Sequence, residues 1–76
     1  MDWFIFTFIK SLSDEMAGKQ DMYISEKQAD ICERYMQPTS TGNGYYIVIG
    51  DYQYTMRRMR KGYGKLSKLD KRIAIR

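Results

Sequence analysis

Hydrophobic residues in the first part of the chain recur with the spacing of a helix. Apolar side chains at positions 5, 8, 9, 12 and 16 follow the i, i+3, i+4, i+7 rule of an amphipathic helix. Asp2 can cap the start of this helix, and Gly18 can end it in the left-handed conformation that glycine tolerates. The pattern therefore predicts a first helix over residues 3–17.

A second helical segment begins with a capping box in the sequence ISEKQ. The Ser25 side chain can accept a hydrogen bond from the Gln28 amide, while the Gln28 side chain reaches back to the backbone of Ser25. The residues that follow place Ile31 and Cys32 on an apolar face, and a proline then ends the pattern. These features predict a second helix over residues 26–36.

After a turn-rich linker, the period of the hydrophobic pattern changes to that of a strand. Residues 45–49 are aromatic or β-branched, Gly50-Asp51 suits a two-residue hairpin turn, and the alternation continues after it. The sequence therefore predicts a β-hairpin over about residues 45–58, with its apolar face on the helices. Its cross-strand pairs on that face are Ile49 with Tyr52, Ile47 with Tyr54, and Tyr45 with Met56.

The chain beyond the hairpin is less regular. Residues 61–65 predict a flexible turn, and Leu66 and Leu69 have the spacing of one helical turn or of a loose segment. Residues 72–76 alternate like a third strand, and the pattern leaves open whether that strand forms. The expected fold class is α+β, a single domain over residues 1–76 with two N-terminal helices packed on a small antiparallel sheet.

Charge is distributed unevenly along the chain. The last twenty residues hold nine of the 13 Lys and Arg residues and one acid, a net charge of +8, whereas residues 1–56 have a net charge of −4. Such asymmetry is typical of a surface that meets phosphates, acidic protein or anionic lipid. It favours binding over catalysis.

The residue inventory excludes most catalytic sites and resident cofactors. The chain has no histidine, which excludes Ser-His and Cys-His nucleophile pairs, an imidazole base and Cys/His zinc sites. Cys32 has no cysteine to pair with in the chain, and its place on an apolar face predicts a small core residue rather than a nucleophile. We therefore expect no enzyme, no metal and no cofactor. A single unpaired thiol fits a reducing cytoplasm.

The apolar run at residues 3–9 does not fit a membrane segment, and it makes the first helix unusually apolar. It has no basic residue before it and is far shorter than the roughly 20 apolar residues that span a bilayer, so we expect no membrane partner. Its aromatic residues Trp3, Phe4 and Phe6 widen the apolar surface of the first helix beyond one stripe. This excess predicts either core on two sides or an exposed contact patch.

Basic residues interleaved with tyrosines form the strongest functional signal. Arg forks and Lys ammonium groups bind phosphates, and exposed tyrosine rings offer faces on which bases stack. A basic sheet edge that only prevents aggregation would have a similar composition. The candidate nucleic-acid or partner-binding residues are Tyr52, Tyr54, Arg57, Arg58, Arg60, Lys61, Tyr63, Lys65 and Lys68.

A helix, a short gap and a second helix start form a distinctive segment near the N-terminus. The segment spans residues 8–35 and includes the runs Ser11-Leu12 and Ile24-Ser25-Glu26-Lys27-Gln28. It resembles a helical segment of small proteins from phages and mobile elements. The resemblance implies a phage accessory product, a group that includes DNA-metabolism helpers and inhibitors of host machines such as anti-CRISPR proteins. It transfers no functional residue to this chain.

Together these features predict a non-enzymatic, phage-type binding protein or inhibitor. It would act on a nucleic-acid–protein machine, for example a CRISPR effector, in the cytoplasm of the host cell. Its basic C-terminal surface would contact DNA or RNA, or an acidic groove of a host nucleic-acid-processing protein. The alternative is a protein interaction or homodimerisation module that uses the aromatic N-terminal helix and makes no direct nucleic-acid contact.

Overall fold

The computed structural model describes residues 3–70, which form two α-helices and five β-strands. The helices are α1 (Trp3–Glu15) and α2 (Glu26–Tyr35). The strands are β1 (Asp21–Ile24), β2 (Gln37–Pro38), β3 (Tyr45–Ile49), β4 (Tyr52–Arg58) and β5 (Gly64–Asp70). The fold class is α+β with an antiparallel sheet, as the sequence predicts.

The five strands form one sheet in the order β1-β5-β4-β3-β2, with antiparallel pairing throughout. The predicted hairpin forms the β3–β4 part of this sheet, and Gly50 has the positive φ of 62° that its turn requires. The predicted register is confirmed, because the observed pairs include Ile49 with Tyr52, Ile47 with Tyr54, and Tyr45 with Met56.

The sheet is wider than the sequence predicts. Residues 64–70, expected to be a turn and a loose segment, form β5 and pair with the whole of β4, so that Leu66 lies opposite Met56. The gap between the two predicted helices contains β1, which pairs with β5, and the short strand β2 pairs with β3. The helices are thus separated by a strand instead of following one another. The third strand expected at residues 72–76 lies outside the described residues.

Local sequence signals set the ends of both helices. The Gln28 amide donates to Ser25 Oγ at 3.1 Å, and the Ser25 amide donates to Gln28 Oε1 at 2.8 Å, which confirms the capping box. Gly18 has a φ of 79°, the left-handed conformation expected after α1. Each helix ends within two residues of its predicted end.

Both helices and three strands contribute to one hydrophobic core. Cys32 is fully buried in it, as predicted, whereas Ile31 is only half-buried, because the helix turns Ala29 and Cys32 toward the sheet. Ile47 is partly buried and packs against the core. The buried residues are Ile5, Ile9, Leu12, Met16, Ile24, Ala29, Cys32, Met36, Tyr54, Met56 and Leu66.

A small residue allows α2 to approach the sheet closely. A Cβ atom at Gly64 would lie 2.9 Å from Met56 Sδ and 3.1 Å from Ala29 Cβ. Along β4 and β5 the buried residues alternate with more exposed ones, so the core lies against one face of the sheet. We call the other side the open face.

Candidate functional site

The candidate binding residues are divided between the two faces of the sheet and the β4–β5 loop. Successive side chains of a strand point to opposite faces, so Arg57 and Lys65, which pair across β4 and β5, lie on the open face. Arg60, Lys61 and Tyr63 belong to the loop, where all three are exposed. On the core side lie Tyr52, Tyr54, Arg58 and Lys68. The sequence-predicted set is therefore not one surface.

Tyr54 is part of the core and does not fit the predicted binding role. Its side chain is 5% exposed, and its hydroxyl donates to Ser13 Oγ at 3.2 Å. The ring is thus unavailable for stacking on a base. Tyr52 and Lys68 lie beside it at the edge of the core, where Lys68 Nζ is 5.0 Å from the centre of the Tyr52 ring and 3.3 Å from Ser13 Oγ. Lys68 therefore makes its contacts within the protein, by a cation–π interaction and a hydrogen bond.

Arg58 is also occupied within the fold, contrary to its predicted role in binding. Its Nε donates to Glu33 Oε2 at 3.0 Å, and its Nη2 donates to Asp30 Oδ1 at 2.5 Å. The Nη1 atom donates to the carbonyl oxygen of Gly62 at 2.6 Å. The hydrogen bonds to Glu33 and Asp30 raise the pKa of the Arg58 guanidinium above its ordinary value. Arg58 therefore links α2 to the β4–β5 loop and has little capacity left for a ligand.

The open face carries a polar depression between β4 and β5. Its volume is about 150 Å³, and its lining consists of Arg57, Lys65, Thr55 and Ser67. Arg57 pairs with Lys65 and Thr55 pairs with Ser67, so the two cations and the two hydroxyls occupy adjacent rows of the sheet. Two cations beside two hydroxyl donors form a suitable environment for an anionic oxygen group.

An exposed tyrosine pair borders the depression on the side of β1. Tyr23 lies opposite Lys65 in the sheet and is 66% exposed. Its ring meets that of Tyr63 edge-on, with the ring centres 5.4 Å apart and an angle of 77° between the planes. Tyr23 therefore lies one strand from Lys65 and two strands from Arg57.

Sequence reasoning missed Tyr23 because this residue lies in the short gap between the two predicted helices, 3–17 and 26–36. The alternation of Asp21 and Tyr23 with the apolar Met22 and Ile24 was the available signal, but a four-residue alternation is short. Asp21 also belongs to the open face, and its Oδ2 lies 3.9 Å from Lys65 Nζ. This carboxylate competes with any anion for Lys65.

The sign of charge differs between the two layers of the fold. The two helices carry five acidic and three basic residues, whereas residues 45–70 carry six basic and two acidic ones. The sequence asymmetry thus becomes a spatial one, since the basic residues belong to β4, β5 and their loop. Four of the six basic residues in residues 45–70 do not lie on the core side of the sheet. They are Arg57, Arg60, Lys61 and Lys65.

Two features of the described residues bear on metal binding and on thiol chemistry. No group of three or more acidic or cysteine side chains in residues 3–70 is placed to hold a metal ion. Burial raises the pKa of the Cys32 thiol to about 12, so the thiolate that a nucleophile requires is suppressed. Neither described helix is long and apolar enough to cross a membrane.

A second exposed surface lies at the start of α1, away from the basic one. Trp3 is 76% exposed and Phe4 is 52% exposed. The Phe4 ring stacks on Phe8 with the ring centres 6.1 Å apart and also contacts Tyr35, at 5.7 Å. The Trp3 ring contacts Phe6 instead, with the ring centres 5.4 Å apart. We call Trp3 and the neighbouring aromatic residues Phe4, Phe8 and Tyr35 the aromatic patch.

Comparisons with known proteins give no further guide to this surface. No family model, no curated protein and no solved structure matches the chain.

Proposed function

We propose that this chain is a non-enzymatic binding protein whose open face and β4–β5 loop contact nucleic-acid phosphates. The observation that carries the proposal is the paired placement of Arg57 and Lys65 over the hydroxyls of Thr55 and Ser67, on the sheet face that the core does not occupy. Phosphate contacts from Arg and Lys supply most non-specific nucleic-acid affinity. Of the basic candidates predicted from the sequence, this proposal therefore retains those that do not lie on the core side: Arg57, Arg60, Lys61 and Lys65.

The wider biological proposal is a phage-type accessory protein or inhibitor that acts on a nucleic-acid–protein machine in the host cytoplasm. Its support is the basic, histidine-free composition and the resemblance of residues 8–35 to segments of small phage proteins. In this proposal the basic surface occupies the nucleic-acid path of the machine, or an acidic groove of one of its proteins.

The salt dependence of binding tests the direct nucleic-acid contact. If Arg57, Arg60, Lys61 and Lys65 all meet phosphates, log K should fall against log salt with a slope of about −3 to −3.5. Arg57→Gln with Lys65→Gln should make that slope shallower by about 1.5 and weaken binding to all sequences alike. Lys27→Gln with Arg34→Gln, a matched pair on α2, should leave both quantities unchanged.

Two outcomes separate this proposal from its competitors. A protein that binds neither DNA nor RNA at low salt would refute direct binding. Capture of a host protein that persists after nuclease treatment, and is lost in the Arg57→Gln, Lys65→Gln variant, would assign the basic surface to an acidic protein groove instead.

A second candidate function is a protein contact made by the aromatic patch. The exposure of Trp3, the largest side chain in the protein, favours it, because exposed tryptophan is enriched at interaction sites. Trp3→Ser should abolish capture of a protein partner or self-association in sedimentation, while nucleic-acid binding and the melting temperature remain unchanged. An unaltered sedimentation profile and partner capture would exclude this role for Trp3.

A further inference from the structure

We infer that the open face binds single-stranded nucleic acid, with a phosphate in the depression between β4 and β5 and a base against the ring of Tyr23. The inference rests on the proposed function and deepens it, because phosphate contacts alone do not distinguish single strands from duplexes. Tyr23 distinguishes single strands from duplexes, because only a base that is not already stacked within a duplex can stack on its ring.

The phosphate position is defined by four side chains of two paired strands. Arg57 supplies a guanidinium fork, Lys65 supplies an ammonium group, and Thr55 and Ser67 supply hydroxyl donors around one depression. Arg57 is exposed, and its position opposite Lys65 puts both charges at the rim. A phosphate in this place receives charge-assisted hydrogen bonds without any rearrangement of the core.

The base position follows from the row of the sheet to which Tyr23 belongs. Tyr23, Lys65 and Arg57 lie side by side on β1, β5 and β4. Neighbouring strands are about 4.8 Å apart, so the Tyr23 ring is one strand spacing from Lys65 and two from Arg57. A base on Tyr23 and a phosphate between Lys65 and Arg57 can therefore belong to the same or to successive nucleotides.

Tyr63 holds the Tyr23 ring in place without covering it. The two rings meet at 77°, and an edge-to-face contact covers at most one face of either ring. Tyr23 remains 66% exposed in this arrangement. One ring face is therefore open to a base.

The shape of the open face disfavours a duplex. From β1 to β3 the sheet spans three strand spacings, about 14 Å before side chains are counted. The major groove of B-DNA is about 12 Å wide and admits a two-stranded ribbon but not this face. A duplex would be left to the exposed loop residues Arg60 and Lys61.

Asp21 supplies an independent check on the same site. Its carboxylate lies 3.9 Å from Lys65 Nζ and repels an incoming phosphate. Asp21→Asn keeps the shape of the side chain and removes the charge. This substitution should raise the affinity for a single strand about 2- to 5-fold at low salt, with a smaller gain at high salt.

The decisive experiment measures binding of the full chain to an oligothymidine of about 12 nucleotides, to the oligouridine of equal length and to a duplex of the same length, by fluorescence anisotropy. The single strands should bind more tightly than the duplex. Tyr23→Ala should weaken single-strand binding about 5- to 100-fold and leave duplex binding unchanged, because a stacking platform is lost. Tyr23→Phe should retain most of the affinity.

Two further variants guard against misfolding and general surface effects. Tyr23→Thr keeps a strand-forming residue without a ring and should reproduce the loss seen with Tyr23→Ala. Tyr35→Ala removes an exposed tyrosine from the helical layer and should leave single-strand affinity unchanged. Circular dichroism melts of every variant establish that the fold is retained.

The outcomes distinguish failure of this inference from failure of the proposed function. Absence of binding to all three probes overturns both. Equal binding of single strand and duplex, weakened by Arg57→Gln with Lys65→Gln but not by Tyr23→Ala or Tyr23→Thr, overturns the inference and leaves the phosphate-binding function standing. Single-strand binding that is lost on Arg60→Gln with Lys61→Gln, but not on Tyr23→Ala or Tyr23→Thr, would place the contact on the loop, which also overturns the inference.

Discussion

Arg57 and Arg58 are neighbours in sequence but lie on opposite faces of β4, and this difference determines what each can do. Arg57 is exposed beside Lys65 on the open face. Arg58 is held by Glu33, Asp30 and the Gly62 carbonyl on the core side. One guanidinium is therefore available to a ligand, and the other contributes to the stability of the fold.

Substitution of these two arginines should separate stability from binding. Arg58→Ala removes hydrogen bonds to two carboxylates and two backbone carbonyls, so we expect the free energy of unfolding to fall by about 1–2 kcal/mol. Arg57→Ala should change the free energy of unfolding by less than about 0.5 kcal/mol, as is usual for an exposed side chain. Urea unfolding of both variants measures the difference. Equal destabilisation by both would contradict the assignment of Arg58 to the fold.

The buried Cys32 thiol makes the free energy of unfolding pH-dependent in the alkaline range. The thiol pKa is near 9 when the chain is unfolded and about 12 when it is buried in the core. Below pH 9 the thiol is protonated in both states, whereas between 9 and 12 only the unfolded state loses its proton. The contribution of this group is thus fully present below pH 9 and is lost as pH rises toward 12.

Between these two pKa values, the loss of one proton on unfolding lowers the free energy of unfolding by about 1.4 kcal/mol per pH unit. The free energy of unfolding of the wild-type chain should therefore fall more steeply than that of Cys32→Ala, between about pH 9 and about pH 10.5. Urea unfolding across this range measures both slopes. Other alkaline groups affect the two proteins equally, so parallel curves would show that the Cys32 thiol ionises freely in the folded state.

At the level of elements, the sequence predicts those parts of the fold that local chemistry determines. The capping box at Ser25 and the β3–β4 register are both encoded within a few residues, by hydrogen-bonding side chains and by a tight turn. The strands β1 and β5 are formed by pairing with distant residues. In β5 the core-side positions include Gly64 and Lys68, which conceal the alternation.

The candidate site was predictable to a similar extent. The strand alternation of β4 already implies that Arg57 and Arg58 point to opposite faces, but a list of basic and aromatic residues does not use this information. Tyr23 and Lys65 could not be joined without the β1–β5 pairing, which brings together residues 42 positions apart. The sequence therefore predicts which residue types form the binding surface, and the order of strands in the sheet determines which individual residues lie on it.

The capping box provides a test of the element that it starts. Ser25→Ala removes the acceptor of the Gln28 amide, so the free energy of unfolding should fall by about 1 kcal/mol. Ser40→Ala, in the linker between β2 and β3, should have little effect on stability. Nucleic-acid binding by the Ser25→Ala variant should persist at low temperature. Selective loss of binding at unchanged stability would mean that Ser25 lies at a contact surface.

At the scale of the whole molecule, the two layers differ in charge while they share one core. The acidic residues of α2 hold Arg58, whereas the outward-facing cations of β4, β5 and their loop remain without such partners except for the contact of Lys65 with Asp21. This statement covers the ion pairs among residues 3–70. The arrangement concentrates positive charge on the sheet side, where the proposed ligand binds.

A shared core also predicts how the molecule unfolds. Ile9 of α1 and Leu66 of β5 are both fully buried in the same cluster, so neither layer can retain its packing without the other. Ile9→Ala and Leu66→Ala should each lower the free energy of unfolding by about 2–4 kcal/mol, a large part of the total for so small a domain. In both variants the far-ultraviolet signal of the helices and the near-ultraviolet signal of the tyrosines should be lost in a single coincident transition. Two separated transitions, or a Leu66→Ala variant in which only the tyrosine signal shifts, would show that the sheet and the helices unfold independently, contrary to the single core.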